Sequence, residues 1–352
     1  MEYRLLGRTG LKVGVVGLGT EHMVRSEESM EQVLRMGVDA GLNYVDLLYA
    51  DPKGADAEFW TSFGPVLRRY RDRLVVAAHW GSGSDQTVDH CQRCFDDLLA
   101  EIGNGHAEIV LLTMVDTQEK WEGWAQQSLA LLRQYKERGQ IGAIALSGHE
   151  TSIALKAVNS RQIDVLMFPV NLLAHGEEGD SALHAACVAQ GVGLVAMKVY
   201  FGGTLLFVDG QPTPITPAQC LAYVLSLPVS TAVPGAKDVE EMRRTLHYCE
   251  ATDEEKDYRP ALANLHQVLE GHCVYCRHCL PCPVEIPIDW MILLTDWAQS
   301  GVTDELRSGY ASASVKASAC IECGDCMGRC PFKVDVIGKM QRAAQLFEVA
   351  AA

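Results

Sequence analysis

Two cysteine segments near the end of the chain decide how its last part folds: Cys273-Val-Tyr-Cys276-Arg-His-Cys279-Leu-Pro-Cys282-Pro283 and Cys320-Ile-Glu-Cys323-Gly-Asp-Cys326-Met-Gly-Arg-Cys330-Pro331. In each segment three cysteines recur at every third position, and a fourth cysteine stands before a proline. Thiolates at this spacing on an irregular turn can reach three corners of a 4Fe–4S cluster, and the fourth ligand comes from elsewhere in the chain. We therefore predict two 4Fe–4S clusters, and with them the transfer of single electrons.

The fourth ligand of each cluster is expected from the other segment, since the last cysteine of a segment ligates the neighbouring cluster in two-cluster ferredoxins. Cluster set 1 is then Cys273, Cys276, Cys279 and Cys330, and cluster set 2 is Cys282, Cys320, Cys323 and Cys326. A structural zinc site usually takes two C-x2-C pairs, and each segment supplies more than that. Disulfides would need an oxidising compartment, of which the sequence gives no sign.

Charge and composition limit the classes of partner. The chain carries 45 acidic and 30 basic residues, a net charge of −15, and because nucleic-acid binding needs a basic face we expect no nucleic-acid partner. No apolar run of about eighteen residues is present, so no membrane span is expected. The start, Met1-Glu2-Tyr3-Arg4, lacks the apolar run of a signal peptide. These features predict a cytoplasmic, reducing setting, and oxygen-sensitive clusters would favour an anaerobic one.

Residues 1–250 alternate short apolar runs with longer amphipathic ones. The apolar runs are Gly14–Gly19, Tyr44–Leu48, Leu74–Ala78, Ile109–Leu112, Gly142–Leu146, Val165–Val170, Gly193–Met197 and Ser230–Val233. They are rich in Val, Leu and Ile without strict alternation, which is typical of strands buried on both faces. Eight strand–helix units in roughly 250 residues match a (β/α)8 TIM barrel. A doubly wound sheet is the alternative, but no Gly-x-Gly-x-x-Gly follows a strand, which argues against its dinucleotide-binding form.

The predicted fold class is therefore α/β, with a (β/α)8 TIM barrel over residues 1–250 and a small α-helical, ferredoxin-like iron–sulfur domain over residues 251–352. Helix-like stretches between the strands include Glu27–Ala40, Asp85–Glu101, Trp121–Glu137 and Ser181–Gln190. Gly41, Gly139 and Gly191 stand where such helices should end. Cys91 and Cys94 lie three apart in the second of these stretches and could form a redox pair, but are interpreted as structural or surface thiols.

Chemistry in such a barrel is expected at the carboxyl ends of the strands. The polar residues just past the runs are Glu21, His22, Asp46, Tyr49, Asp51, His79, Thr113, Asp116, Ser147, His149, Asn171, Lys198, Tyr200 and Lys237. Three histidines in this set make the mouth a candidate acid–base or metal site, although a single histidine is more often a hydrogen-bonded structural residue.

The first 250 residues resemble the aldo-keto reductases. The matching motifs are Leu6–Val13, Gly17–Thr20, Gly41–Asp46, Ile144–His149, Met197-Lys198 with Gly202-Gly203, and Val233–Ala236. The cysteine segments resemble the ferredoxin-like tail of one branch of that family. The resemblance implies a (β/α)8 barrel and reduction of a carbonyl by NADPH, with Asp, Tyr, Lys and His as catalytic residues.

The catalytic pattern implied by the resemblance is largely replaced. Asp46 matches the family's aspartate, but Asp51 stands where the tyrosine is expected and Tyr49 lies two residues early. His79 takes the position of the lysine, and Thr113 that of the histidine. Without a phenol beside an ammonium, no preset proton donor faces a carbonyl oxygen. We therefore expect Asp46, Tyr49 and His79 to handle protons in a different geometry.

The nucleotide site implied by the resemblance is retained only in part. Ser147 matches a residue that holds the nicotinamide amide, whereas Gly148 replaces the asparagine and Met167 the glutamine expected nearby. Asn171, Gly235 and Lys237 are the remaining candidate cofactor-binding residues, with Lys237 suited to a phosphate. NADP(H), a flavin or no barrel cofactor are all left open.

Together these features predict an iron–sulfur oxidoreductase that couples single-electron transfer to chemistry on a small organic substrate, with a ferredoxin-type protein as redox partner. An electron-transfer protein or adaptor with a degenerate barrel is the alternative from another class. A conventional NADPH-dependent carbonyl reductase is the third interpretation, and the displaced tyrosine and missing lysine argue against it.

Overall fold

The computed structural model describes residues 1–82, 86–175 and 178–348 and divides the chain into two compact units, Met1–Arg259 and Pro260–Ala352. The division therefore falls after Arg259, whereas the sequence prediction placed it after residue 250. Two contacts tie the intervening acidic stretch to the first unit: His247 Nε2 lies 3.1 Å from Glu255, and Gln219 Nε2 donates to the Asp257 carbonyl at 3.1 Å.

The first unit is built on an eight-stranded parallel sheet. Its strands are β1 (Leu18–Gly19), β2 (Tyr44–Leu47), β3 (Val75–Trp80), β4 (Ala107–Leu112), β5 (Ile141–Ser147), β6 (Val165–Pro169), β7 (Gly193–Met197) and β8 (Thr231–Ala232). They pair in chain order. Parallel bridges join Val16 to Ala232 and Gly19 to Gly235, so the last strand meets the first. The sheet closes into the predicted (β/α)8 barrel.

Helices follow the strands and cover the outside of the sheet. They are α1 (Glu27–Asp39), α2 (Ala57–Tyr70), α3 (Val88–Glu101), α4 (Gln126–Glu137), α5 (Thr151–Asn159), α6 (Glu178–Gln190), α7 (Pro217–Ser226) and α8 (Val239–Leu246). α4 is preceded by a helical turn at Gln118–Lys120 and a π-helical turn at Trp121–Ala125. Residue 85, where the predicted helical stretch Asp85–Glu101 begins, lies outside the described residues.

Local sequence explains where several helices begin and end. Ser26 caps α1 by accepting from Ser29 N, and Thr216 forms a reciprocal capping box with Gln219 at the start of α7. Gly41, Gly139 and Gly191 adopt φ of +94°, +71° and +65°. The left-handed conformation costs glycine little and stops a helix, which confirms the helix ends predicted there.

Side-chain alternation along the strands decides which polar residues reach the barrel mouth. Tyr44, Ala77, Leu111 and Ala145 belong to the buried core inside the barrel. Because successive side chains of a strand alternate between its faces, the residue two positions further along points the same way. That residue is polar in each of four neighbouring strands or just past them: Asp46, His79, Thr113 and Ser147.

The second unit is helical. Its helices are α9 (Arg259–Val268), α10 (Ile288–Trp297), α11 (Asp304–Ser312), α12 (Asp325–Arg329) and α13 (Val336–Phe347), and residues 260–348 contain no strand. Buried side chains of α10 and α13 include Met291, Leu294 and Met340. Across the three described ranges, no helix is both long and apolar enough to pass through a lipid bilayer.

Candidate functional site

A buried chain of hydrogen bonds joins three of the polar residues at the barrel mouth. His79 Nε2 lies 3.1 Å from Asp46 Oδ1, and His79 Nδ1 lies 3.0 Å from Thr113 Oγ1. All three residues are buried: His79 is 4% exposed, Asp46 9% and Thr113 1%. A buried carboxylate needs a donor to offset its lost hydration, and His79 supplies one. The structure thus pairs two of the three residues expected to handle protons, His79 and Asp46.

The chain Asp46–His79–Thr113 can hold or release one proton without breaking its hydrogen bonds. With neutral His79, Nε2–H donates to Asp46 and the Thr113 hydroxyl donates to Nδ1. With charged His79, both ring nitrogens donate, and the Thr113 hydroxyl turns to the Leu111 carbonyl oxygen, 3.3 Å away. The two states differ by one proton and a hydroxyl rotation, which is what a general acid–base site requires.

Tyr49 is held away from this chain. Its hydroxyl donates to the backbone carbonyl of Glu21 at 2.5 Å. Its ring packs against that of Phe59 at a centroid distance of 4.3 Å and a tilt of 37°, with the Arg25 guanidinium 5.4 Å from the ring centre. Within the described ranges Tyr49 has no hydrogen bond to Asp46 or His79. The phenol can act as an acid only if its bond to Glu21 breaks.

The other two histidines at the mouth are engaged elsewhere. His149 Nδ1 lies 3.1 Å from Asp116 Oδ2, and His22 lies 3.7 Å from Glu21. Burial raises the pKa of Asp116, but hydrogen bonds from His149 and the Glu150 backbone outweigh it and leave the pKa lowered. Among the described residues the three histidines do not form a cluster of metal-ligand spacing.

Lys120 is a mouth residue that the sequence interpretation missed. Its half-buried ammonium donates to the Thr113 carbonyl oxygen at 3.0 Å and to Gln86 Oε1 at 2.6 Å. It also lies 4.9 Å from the centre of the Trp124 ring. Desolvation lowers the pKa of Lys120, while Asp116 opposes the shift. Its position several residues beyond β4, in a helical turn, gave no sequence signal, because only residues directly past a strand were considered.

The predicted nucleotide-binding residues differ in how far they are engaged. Buried Ser147 accepts from Met114 N at 3.2 Å. Asn171 uses both ends of its amide on the backbone: Oδ1 accepts from Leu173 N at 3.0 Å and Nδ2 donates to Lys198 O at 3.2 Å. Exposed Lys237 pairs with Glu241 at 2.9 Å, and Gly235 is exposed beside β8. Gly235 is therefore exposed to a ligand, whereas Ser147 and Asn171 both bond to the backbone.

The eight cysteines of the second unit line two cavities. One cavity is lined by Cys273, Cys276, Cys279 and Cys330 together with apolar side chains such as Val274 and Phe332. The other is lined by Cys282, Cys320, Cys323 and Cys326 with Ile286 and Met340. Each cavity thus gathers three cysteines of one segment and the last cysteine of the other.

The two cysteine segments follow the same backbone path. Tyr275 and Glu322, each directly before the second cysteine of its segment, both have φ of +54°. Glu285 and Lys333, each three residues past the Cys-Pro cysteine, have φ of +60° and +52°. Residues other than glycine rarely adopt this strained conformation except where the surroundings enforce it, often at ligand clamps.

The donor set of each cavity fits an iron–sulfur cluster. Backbone N–H groups point at the sulfurs: Tyr275 N lies 3.4 Å from Cys273 Sγ, and Val334 N lies 3.4 Å from Cys330 Sγ. Such hydrogen bonds stabilise cluster thiolates. Burial raises the pKa of Cys273 to about 12 and that of Cys279 to about 11. These thiols are therefore protonated at neutral pH until a metal displaces the protons.

Comparison with known proteins gives matches to the barrel. A family model described as the aldo/keto reductase family matches residues 11–217. Two curated relatives, the L-glyceraldehyde 3-phosphate reductases of Escherichia coli O157:H7 and of Escherichia coli K12, are each 26% identical over 231 residues. Each match covers 60% of this chain and 66% of the relative, so the chain spans just under two thirds of the relatives' length.

Solved structures give the same fold. An aldo-keto reductase of Bacillus halodurans in its holo form matches with a TM-score of 0.62 at 17% identity, covering 74% of this chain and 96% of that one. A putative aldo-keto reductase of Pseudomonas aeruginosa matches with a TM-score of 0.56 at 22% identity, covering 70% and 96%. With a family model that spans more than half of its residues, the chain belongs to the aldo/keto reductase family.

Proposed function

We propose that this family member is an iron–sulfur oxidoreductase that couples single-electron transfer through two 4Fe–4S clusters to redox chemistry on a small organic substrate at the barrel mouth. The observation that carries the proposal is the pair of cavities in the second unit, each lined by four cysteines. A ferredoxin-like role for that unit is part of the proposal. When bound, such clusters pass electrons one at a time, which suits a ferredoxin-type donor.

The chain's own residues would bind the clusters and handle protons. Cluster set 1 and cluster set 2 supply four thiolates each, and apolar side chains such as Val274 and Ile286 line the cavities beside them. At the barrel mouth, Asp46 orients His79, and His79 holds or releases the proton that accompanies substrate reduction. Thr113 keeps the second ring nitrogen hydrogen-bonded in both states. Tyr49 would join as a second proton donor only after leaving Glu21.

The test is anaerobic purification of the full chain, with assays of iron, sulfide and flavin, followed by absorption spectra during a titration with NADPH and then with dithionite. We expect a broad iron–sulfur band that dithionite bleaches. No bleaching by NADPH would direct the search to a ferredoxin-type donor. Bleaching by NADPH would mean that the barrel itself passes hydride electrons to the clusters. Absence of iron and of the band would refute the proposal.

A second candidate is an NADPH-dependent carbonyl reductase without an electron-transfer role for the cysteines. It is favoured by the family match and by curated relatives named for reduction of L-glyceraldehyde 3-phosphate. Against it stands the buried Asp46–His79–Thr113 chain, in which histidine and threonine occupy the positions where the family resemblance predicts lysine and histidine. NADPH oxidation with an aldehyde by protein that lacks iron would support this candidate over the first.

A further inference from the structure

A cluster of three potential metal ligands lies in the barrel unit, apart from the cysteine segments and from the Asp46–His79–Thr113 chain. It comprises Asp51, in the loop between β2 and α2, and His90 and Cys94 on α3. One ligand atom from each residue lies within 4.8 Å of the others. Among the described residues it is the one group of three or more such side chains with this spacing.

We propose that Asp51, His90 and Cys94 bind one Zn²⁺ ion. A carboxylate oxygen, an imidazole nitrogen and a thiolate are the ligand types that zinc takes in proteins. Three protein ligands leave the fourth tetrahedral position to water or to a small ligand. Sequence analysis did not identify Cys94 as a metal ligand, because Asp51 lies on a distant loop and His90 lies one helical turn before it.

The distances suit this ion. With zinc bonds of about 2.3 Å to sulfur and about 2.0 Å to nitrogen, tetrahedral geometry separates the two ligand atoms by about 3.5 Å. His90 Nε2 lies 3.3 Å from Cys94 Sγ. The pair is spaced i, i+4 on α3, which puts both side chains on one face of the helix. The metal-binding pair is thus already formed by the helix.

The loop that carries Asp51 is pinned against α3. The Lys53 ammonium donates to Asp97 at 2.5 Å, and Asp97 lies one turn beyond Cys94. Asp51 Oδ2 accepts from Ala55 N at 2.9 Å. A side chain at position 54 would collide with this carboxylate, since a Cβ added to Gly54 would lie 2.1 Å from Asp51 Oδ2. The Ala55 bond and the close approach of Gly54 therefore restrict where this carboxylate can lie.

The contact between Arg93 and His90 changes when the ion binds. Arg93 Nη2 lies 3.4 Å from His90 Nδ1. A histidine that binds zinc through Nε2 carries its proton on Nδ1, so the guanidinium must turn away. Arg93 is exposed, and this long contact costs little to break.

The test compares zinc binding by the anaerobically purified full chain and its variants, each with measured iron content. Protein is equilibrated with Zn²⁺, desalted and assayed for zinc. We expect Cys94→Ser, His90→Gln and Asp51→Asn each to hold about one zinc ion fewer per chain than wild type. Zinc bound by the cluster cysteines is the same in wild type and variants, so it does not affect this difference. Cys91→Ser is the matched control, since Cys91 is a buried thiol on the same helix, and it should bind as much zinc as wild type.

A second measurement guards against variants that fail to fold. Zn²⁺ should raise the thermal midpoint of wild type and of Cys91→Ser, and leave that of Asp51→Asn unchanged. Asn keeps the acceptor for Ala55 N, so this variant should retain the loop. Equal zinc content in wild type and in Cys94→Ser, or the same loss in Cys91→Ser, overturns the proposal and leaves a hydrogen-bonded cluster without a metal.

Discussion

Paired cysteine replacements test which thiols share a cluster, and crossed and uncrossed ligation give opposite results. In the structure Cys330 lines the same cavity as Cys273 and not that of Cys320, although Cys320 belongs to the same cysteine segment. With two 4Fe–4S clusters the wild-type chain holds about eight iron atoms, and loss of one cluster leaves about four. Cys330→Ala with Cys273→Ala should therefore keep about four, since both changes strike one cluster. Cys330→Ala with Cys320→Ala should keep about none.

The assay is iron and acid-labile sulfide per chain after anaerobic purification and reconstitution, with the dithionite-reduced EPR signal as a check on cluster type. Cys249→Ala, at a half-buried cysteine of the barrel unit, is the control and should retain about eight iron atoms. Uncrossed ligation predicts the reverse pattern for the two double variants. That reversed pattern, or equal iron in both double variants, would refute the reasoning from the cavities.

Three further predictions concern the barrel unit. His79→Gln should lower the free energy of unfolding by about 1–3 kcal/mol, because the buried Asp46 carboxylate loses a well-placed donor; an unchanged urea midpoint would contradict this. Tyr49→Phe removes the hydroxyl that bonds to the Glu21 carbonyl and interacts with Arg25, and should cost about 1 kcal/mol; because this hydroxyl does not bond to His79, turnover of a confirmed substrate should change far less than in Asp46→Asn. Asp164 accepts from Lys136 at 2.7 Å and from Ile144 N at 3.2 Å; burial raises its pKa, but these bonds outweigh it and leave the pKa lowered. A carboxylate whose pKa is lowered by folding stabilises the protein at pH values above its unfolded-state pKa, and this stabilisation is lost as the pH falls through its folded-state pKa. Asp164→Asn should therefore have a lower free energy of unfolding than wild type at pH 7, and the two values should converge in acid. Near-UV circular dichroism follows the unfolding.

Much of the architecture was predictable because it rests on local pattern. Apolar runs of strand length, separated by amphipathic stretches, predict eight strand–helix units, since a strand covered on both faces cannot expose polar side chains. Gly41, Gly139 and Gly191 mark helix ends, since glycine adopts positive φ at little cost. Even the inward direction of Asp46, His79 and Thr113 follows from alternation once the strands are known.

The exact partners at the sites were not predictable in the same way. Tyr49, close to Asp46 in sequence, turns its hydroxyl to the Glu21 carbonyl, because the register of β1 against β2 places that carbonyl within reach. Lys120 reaches the mouth from a helical turn beyond the strand end. The domain division lies at Arg259 rather than at residue 250 because side-chain contacts hold the acidic stretch against the barrel.

By itself the sequence determined the number of barrel units, the family resemblance and two groups of thiols at cluster spacing, all features that neighbouring residues encode. The sequence also assigned Cys330 to the cluster of Cys273, but the bonds of His79 to Asp46 and Thr113, and the meeting of Asp51 with His90 and Cys94, are visible only in the folded chain. These contacts join residues far apart in the chain. They depend on strand register and on how helices and loops pack, which spacing along the sequence does not encode.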